Sequence, residues 1–572
     1  MRRLSLAAAV FVALAAPASA WAHAALLRTS PVASRVVNTP PGEVALTYSE
    51  AVEPRFAIVS VTDASGTRVT TGPPRRSPMN ADTLVVPLHR LRQGWYLVYW
   101  RVISVDGHPV RGAFTFAVGP NPGPAPQFVI PSISETAATP KLVVARWAAF
   151  LTVMAAIGLF VLRMLIARPM IVRVAGTRLR EVSIAFAVAA ALGLVAIPVY
   201  LLLSTADFAL RSFWSFGALI PLVRVSAFGR SWFDLWIVFA LFAAAATLAI
   251  WVDRPERRQR SVAELLALTG ALATAGAVLL VPGLAGHAAQ ASPRGLSLTF
   301  DWLHLVAGSL WVGGLIGLLV LWRSLPVARR VAGLVVCVPR FSNVAFVSVL
   351  VLVGSGIGAS VIHFPTLASL WQTSYGKAVL VKVALLGSAL LLAAVNLLRT
   401  KPRLVASRER PELGRPSAVL LRQLVSGESL LIAGAVLAAA VLSSLPPPSK
   451  ALASIGGSAV RVGPGKVQQV MNRNGYRLEF LLDPNKAAVE NQFALRITRN
   501  GKPVRGADVT TTFAMLDMEM GQQGYHLSEA RPGVYEHSAP ALVMVGHWGL
   551  SFQIAPPGRR PFTVLLVDKA NG

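Results

Sequence analysis

The chain has 572 residues, of which 54% are hydrophobic and only 14% charged, and its 54 Lys and Arg against 26 Asp and Glu leave a net charge of +28. This composition excludes a disordered chain and a single soluble globule, since ordinary soluble domains carry about 25% charged residues. The one cysteine, Cys337, excludes an intramolecular disulfide and a cysteine-cluster metal site, so any metal here must be held by His, Asp, Glu, Met or the chain terminus.

Arg2 and Arg3, the apolar run 4–16 and the small residues ending Ala20-Trp21-Ala22 read as a secretory signal peptide over 1–22. Cleavage after Ala22 makes His23 the N-terminal residue, whose amine and imidazole Nδ1 form a chelate that Cu(II) favours. Cleavage after Ala20 is the alternative; it leaves His23 third in the chain, where backbone nitrogens complete a different Cu(II) chelate.

From 23 to 119 the pattern alternates, with strands predicted at 44–48, 56–61, 94–102 and 111–118, which is a small β-sandwich. Between the last two strands lies Ser104-Val105-Asp106-Gly107-His108. A turn there presents Asp106 and His108 from one rim, and with His23 they make a ligand set suited to tetragonal Cu(II). Asp-Gly-His alone is also an ordinary solvated turn. Residues 120–140 form a Pro-rich, extended linker.

Over 141–445 come eight apolar stretches, at 142–166, 182–204, 232–252, 262–286, 298–321, 341–363, 377–398 and 419–445, each near the ~20 residues that span hydrocarbon. Alternate loops are rich in arginine: Arg168, Arg173, Arg178 and Arg180; Arg254, Arg257, Arg258 and Arg260; Arg323, Arg329, Arg330 and Arg340; Arg399, Lys401, Arg403, Arg408, Arg410 and Arg415. Such loops stay cytoplasmic, so both termini are expected outside the cytoplasm of a bacterial inner membrane. The basic charge is thereby topological, and nucleic acid is not an expected partner.

Polar side chains inside such a bundle are costly and functional by default. His287, Asp301, His304 and His363 fall near the outer ends of their spans, with Asp301 and His304 on one helix face. One-sided histidines point to an intake site at the outer mouth. Lys382, Asn396 and Glu428 lie deeper or on the later spans and complete the candidate metal path, with outward snorkelling as the alternative reading of Lys382. Gly313-Gly314 suits close helix packing. A linker, 446–470, leads to a second β-sandwich at 471–572, where Met518 and Met520, with His526 and His547, are soft or borderline ligands that could take Cu(I).

Three resemblances follow from these motifs. His23-Ala24-Ala25-Leu26-Leu27-Arg28-Thr29-Ser30-Pro31, Leu46-Thr47-Tyr48-Ser49-Glu50 and Trp100 through His108 resemble the CopC family of periplasmic copper-binding proteins. That resemblance implies a Cu(II) site from His23, Asp106 and His108, with Glu50 supporting it. Gly286-His287, Asp301-Trp302-Leu303-His304, Trp311-Val312-Gly313-Gly314 and the stretch from Tyr375 through Lys382 to Asn396 resemble the CopD family of copper-resistance membrane proteins. The stretch from Gly475 through Met520 to Trp548 is similar to YtkA/FixH-like domains.

The resulting expectation is a membrane copper handler in which the exterior module captures Cu(II) and the bundle passes copper inward, serving copper homeostasis and resistance. No nucleotide-binding loop and no catalytic constellation is evident, so it is not expected to be an enzyme. Competing readings are a copper chaperone or buffer for oxidase assembly, with periplasmic chaperones or assembly factors as partners, and a membrane haem or copper oxidoreductase. Oligomeric state and energy source are not legible.

Overall fold

The computed structural model describes residues 26–32, 36–48, 51–104, 109–122, 139–209, 212–214, 216–445, 460–487, 489–516, 523–539, 541–542 and 546–571. The signal peptide, His23, Glu50, Asp106, His108, Met518 and Met520 lie outside the described residues, as does the side chain of His287.

The N-terminal module is a β-sandwich of eight strands: β1 (Leu26–Ser30), β2 (Val36–Val37), β3 (Glu43–Tyr48), β4 (Ile58–Asp63), β5 (Arg75–Arg76), β6 (Thr83–Pro87), β7 (Gly94–Ile103) and β8 (Pro109–Val118). One sheet runs β1-β3-β6-β5 and the other β2-β8-β7-β4. Period-two alternation drives Val44, Leu46, Val59, Val61, Leu84, Val86, Val98, Phe114 and Phe116 into one core between the sheets.

Eight apolar helices follow: α1 (Pro140–Arg173), α2 (Arg180–Phe208), α3 (Ala227–Val252), α4 (Val262–Leu284), α5 (Arg294–Ser324), α6 (Val327–His363), α7 (Ser374–Ala406) and α8 (Pro411–Leu442). Their number is as expected, but most run past the apolar stretch. α1, for example, continues through a π-helical turn at Leu162–Ala167 to Arg173. Arginine is a good helix former, so the ladder persists where hydrocarbon ends.

α1 is central, packing against α2, α5 and α8. Its contact with α5 is a backbone crossing: a Cβ on Gly158 would lie 2.1 Å from the Ser309 carbonyl oxygen, and one on Gly313 would lie 2.4 Å from the Gly158 Cα. α7, in contrast, is the helix least covered by protein.

Two polar clusters fix the bundle's ends. Arg146 of α1 is buried and donates to the Tyr200 hydroxyl of α2, to Ser443 and Ser444 oxygens (2.9 and 2.6 Å) and to the Ala440 carbonyl (3.3 Å). At the arginine-rich end, Arg163 and Arg168 close on the two oxygens of buried Asp253 at 2.5 and 2.9 Å. Arg168 was read from sequence as a loop charge, but the extension of α1 carries it into this network. Glu264 caps α4 through Ser261 and also accepts from the Arg254 amide at 2.6 Å.

The C-terminal module has ten strands: β9 (Val460–Arg461), β10 (Val467–Arg473), β11 (Tyr476–Asp483), β12 (Asn491–Arg499), β13 (Lys502–Pro503), β14 (Asp508–Met515), β15 (Gln523–Arg531), β16 (Val534–Ala539), β17 (Gly546–Ala555) and β18 (Phe562–Ala570). Because β15 pairs with both β14 and β16, the two expected layers are joined into one coiled, half-barrel sheet. It curls over a core that includes Phe480, Phe493, Phe513, Trp548 and Phe552.

Asp568 is fully buried there. Its Oδ1 accepts from Asn485 Nδ2 at 2.8 Å, whereas its Oδ2 and Asn485 Oδ1 have no hydrogen-bond partner among the described residues. Burial pushes its carboxyl from an ordinary 3.8 up to about 6, with the Asn485 bond opposing. The folded state therefore holds this proton more tightly than the unfolded chain. The resulting stability is fully present below about pH 4 and is lost as pH rises through about 6, on the order of 3 kcal/mol in all. Asp568→Asn should flatten this dependence and stabilise the module at neutral pH, since its amide can donate to the Asn485 oxygen. Hydrogen exchange of peptides from β17 and β18, corrected for intrinsic rates, reads it directly; equal pH dependence in both proteins contradicts the assignment.

Candidate functional site

In the N-terminal module the described strands converge on one rim. Leu26, at the start of β1, pairs with Tyr48 at the end of β3. Ile103 and Pro109 pair at the facing ends of β7 and β8. The Tyr48 and Trp100 rings meet edge to face with centroids 5.6 Å apart, joining the end of the first sheet to the same end of the second. His23, Glu50, Asp106 and His108 are outside the described residues; in the chain His23 stands three residues before Leu26, Glu50 two after Tyr48, and Asp106 and His108 between Ile103 and Pro109. Tyr48 is fully buried with no partner for its hydroxyl, and burial pushes its pKa well up, so it contributes bulk rather than charge beneath that rim.

In the bundle the structure assembles some predicted residues and separates others. His304 of α5 has Nδ1 3.2 Å from Ser355 Oγ of α6, and Nε2 3.2 Å from Lys382 Nζ of α7. The Ser355 hydroxyl donates to the Leu352 carbonyl at 3.2 Å, so its oxygen accepts the proton of His304 Nδ1. The network therefore assigns the Nδ1–H tautomer and leaves the Nε2 lone pair, a metal-ligating position, facing the lysine ammonium. Lys382 does not snorkel to the interface; it fills the coordination position of the imidazole.

Asp301, one turn before His304, lies against α4, its Oδ2 2.8 Å from where a Cβ on Gly283 would sit, and it acts electrostatically on Lys382. Gly283 is needed there because any side chain displaces the carboxylate. His363 is not drawn in: its Nδ1 bonds the Ala359 carbonyl of its own helix at 2.8 Å. Asn396, at the start of a π-helical turn in α7, donates through Nδ2 to Glu428 Oε1 of α8, while its Oδ1 is buried without a partner. Trp311 of α5 also engages the Glu428 side chain. Sequence reading missed Ser355 and the Trp311–Glu428 contact; the only hint of the former was a serine between Gly354 and Gly356, too common a pattern to single out.

In the C-terminal module His526 and His547 do not form one site. His526 pairs across from Thr510, whereas Trp548, next to His547, pairs across from Met515. Thr510 and Met515 are five positions apart along β14, roughly 17 Å, and His547 lies one position further still. His526 Nδ1 lies 3.3 Å from exposed Asp508. His547 accepts at its carbonyl from the Leu516 amide at 2.8 Å, where the chain leaves towards Met518 and Met520. Among the described residues no group of three or more His, Cys, Asp or Glu is arranged to hold a metal ion.

Comparison with known proteins gives matches along the chain. Residues 26–119 match the family described as CopC domain, 335–442 that described as Copper resistance protein D, and 471–553 that described as YtkA-like. The Copper transport protein CutJ of Bacillus subtilis (strain 168) is 26% identical over 543 residues, 93% of each chain. Protein YobA of Escherichia coli (strain K12) is 36% identical over 118 residues, 20% of this chain and 95% of that protein. The crystal structure of CopC from Methylosinus trichosporium OB3b is 31% identical, covering 18% of this chain and 99% of that one, with a TM-score of 0.17.

Proposed function

The chain belongs to the CopC–CopD family of copper-resistance proteins, with a YtkA-like domain behind them, and from that premise we propose that it captures copper outside a bacterial inner membrane and carries it inward. The N-terminal module takes Cu(II) with His23, Asp106 and His108, supported by Glu50, and hands copper to the outer mouth of the bundle. Both termini lie outside, the arginine-rich loops inside. Copper is cargo, and the protein acts as a transporter rather than an enzyme.

The observation that carries this reading is the His304 lone pair held against Lys382 among α5, α6 and α7. A cation already occupies the coordination position, and a second cation can take it only by displacing the first. Asp301 is the electrostatic partner towards which the released ammonium can turn. Lys382 and Asn396 are also polar ties from loosely held α7 to α5 and α8, so displacement of the lysine frees the helix with the least protein cover.

The test is copper uptake into vesicles carrying wild type, Lys382→Met or no protein. Wild type should transport, and Lys382→Met should lower the half-saturating copper concentration on the order of tenfold, since one unit charge next to the site is removed. Uptake equal to empty vesicles removes the transport claim and leaves an exterior copper buffer or chaperone on a membrane anchor.

A further inference from the structure

The arginines at one end of the bundle are treated in two ways. Arg163, Arg168 and Arg260 gather around Asp253, where the protein neutralises them itself. Arg330 of α6 and Arg422 of α8 are instead stacked on one indole, that of Trp322 at the end of α5, with guanidinium carbons 4.6 and 5.5 Å from its ring centre. Among the described residues neither has a carboxylate within ion-pair reach. The hydrogen bond of Arg330 is a long one to the Leu325 carbonyl, 3.4 Å, and its Nε is buried with no acceptor. Two planar cations beside one half-buried ring thus lack an anion.

Depth identifies the anion. Arg422 is 20 residues from Leu442 at the far end of α8, about 30 Å of helix, which is the thickness of the hydrocarbon core. It therefore sits at headgroup level when Leu442 sits at the opposite boundary. Two turns deeper on α8, about 80° round the helix from Arg422, Leu430 is 76% exposed and presents apolar surface for an acyl chain. Charge at headgroup depth above exposed apolar surface is the complement of an anionic lipid, and the guanidinium fork matches two phosphate oxygens.

We propose that Arg330, Trp322 and Arg422 form a binding site for the phosphate of an anionic phospholipid of the phosphatidylglycerol class, at the arginine-rich end of the bundle. The site goes beyond the copper reading and holds whether or not that reading does.

The full chain, delipidated and re-exposed to phosphatidylglycerol or phosphatidylcholine, would be examined by native mass spectrometry for retained lipid. Wild type should hold phosphatidylglycerol in preference to phosphatidylcholine. Arg330→Ala and Arg422→Ala should each weaken retention about fivefold, and the pair together by about the product. Arg330→Lys with Arg422→Lys, which keeps the charge and the fold but loses the fork, should fall between. Arg408→Ala, on a neighbouring loop, should change nothing. The proposal is overturned if Arg408→Ala is as damaging, which marks diffuse attraction, if both lipids are held equally, or if millimolar inorganic phosphate displaces the lipid, which marks a free-anion site.

Discussion

Replacing His304 with alanine is expected to reduce copper uptake into vesicles to the level of empty membranes, while the protein still elutes as a single folded species. The imidazole is half-buried among α5, α6 and α7, and its hydrogen bonds go to Ser355 and Lys382. Truncation leaves the lysine ammonium without its acceptor and the copper without its nitrogen. Copper of either valence is borderline or soft and prefers imidazole to the hydroxyl and carboxylate that remain nearby. Loss of a sole nitrogen ligand inside a low-dielectric bundle is therefore expected to cost at least two orders of magnitude in uptake at subsaturating copper, the upper range measured even for groups that merely orient a ligand. Ser355→Ala provides the graded companion. It removes the acceptor that fixes the Nδ1–H tautomer, so the wrong nitrogen can carry the proton, and uptake should fall about tenfold rather than vanish. His363→Ala should leave uptake nearly unchanged, because that ring is engaged with its own helix. Equal uptake by wild type and His304→Ala would falsify the assignment of this imidazole to the copper path.

The contrast between His304 and His363 shows what could be read without coordinates. Counting along an apolar helix puts both near one end of the bundle, whereas His304 bonds Ser355, eight residues or about 12 Å of helix before His363 on α6. Which of them faces other helices depends on rotation and packing, which counting cannot supply. The eight helices and the N-terminal sandwich were legible because hydrophobic length and period-two alternation are local signals. The strands found over Gly94–Ile103 and Pro109–Val118 differ by only a residue or two from expectation. The joined sheet of the C-terminal module was not legible, because β15 pairs on both edges and pairing partners leave no local trace. Register likewise separates His526 from His547, although their neighbourhood in sequence suggested one ligand group. Asp253 draws Arg163 and Arg168 from a different helix, a contact 90 and 85 residues apart that no spacing rule addresses. Sequence left Lys382 between a member of the metal path and a snorkelling side chain, and only the 3.2 Å contact identifies it as occupying an imidazole lone pair.

At the proposed Cu(II) site, His108→Ala is expected to weaken Cu(II) binding by the N-terminal module on the order of 100-fold or more, with Asp106→Asn weaker by about tenfold. The reasoning starts from the rim: the paired ends Leu26 with Tyr48 and Ile103 with Pro109, linked by the Tyr48–Trp100 contact, adjoin in sequence the segments that carry all the proposed ligands. In the proposed site a tetragonal Cu(II) ion would take the terminal amine and Nδ1 of His23 as a chelate, so that pair would survive either substitution and some affinity would remain. His108 would supply a further nitrogen, and its loss should also simplify the nitrogen hyperfine pattern in the electron paramagnetic resonance spectrum. Asp106 is a weaker ligand whose charge offsets that of the metal, so its amide variant should alter affinity more than spectrum. Both changes lie in the N-terminal module and leave the sequence of the bundle intact. Uptake at saturating copper should therefore match wild type while the half-saturating concentration rises, the reverse of the pattern for Lys382→Met. If His108→Ala leaves both the spectrum and the affinity intact, the metal is held elsewhere on the exterior surface. If instead it lowers uptake even at saturating copper, copper must pass through the module to reach His304, and capture is an obligatory step rather than a way of concentrating cargo at the mouth.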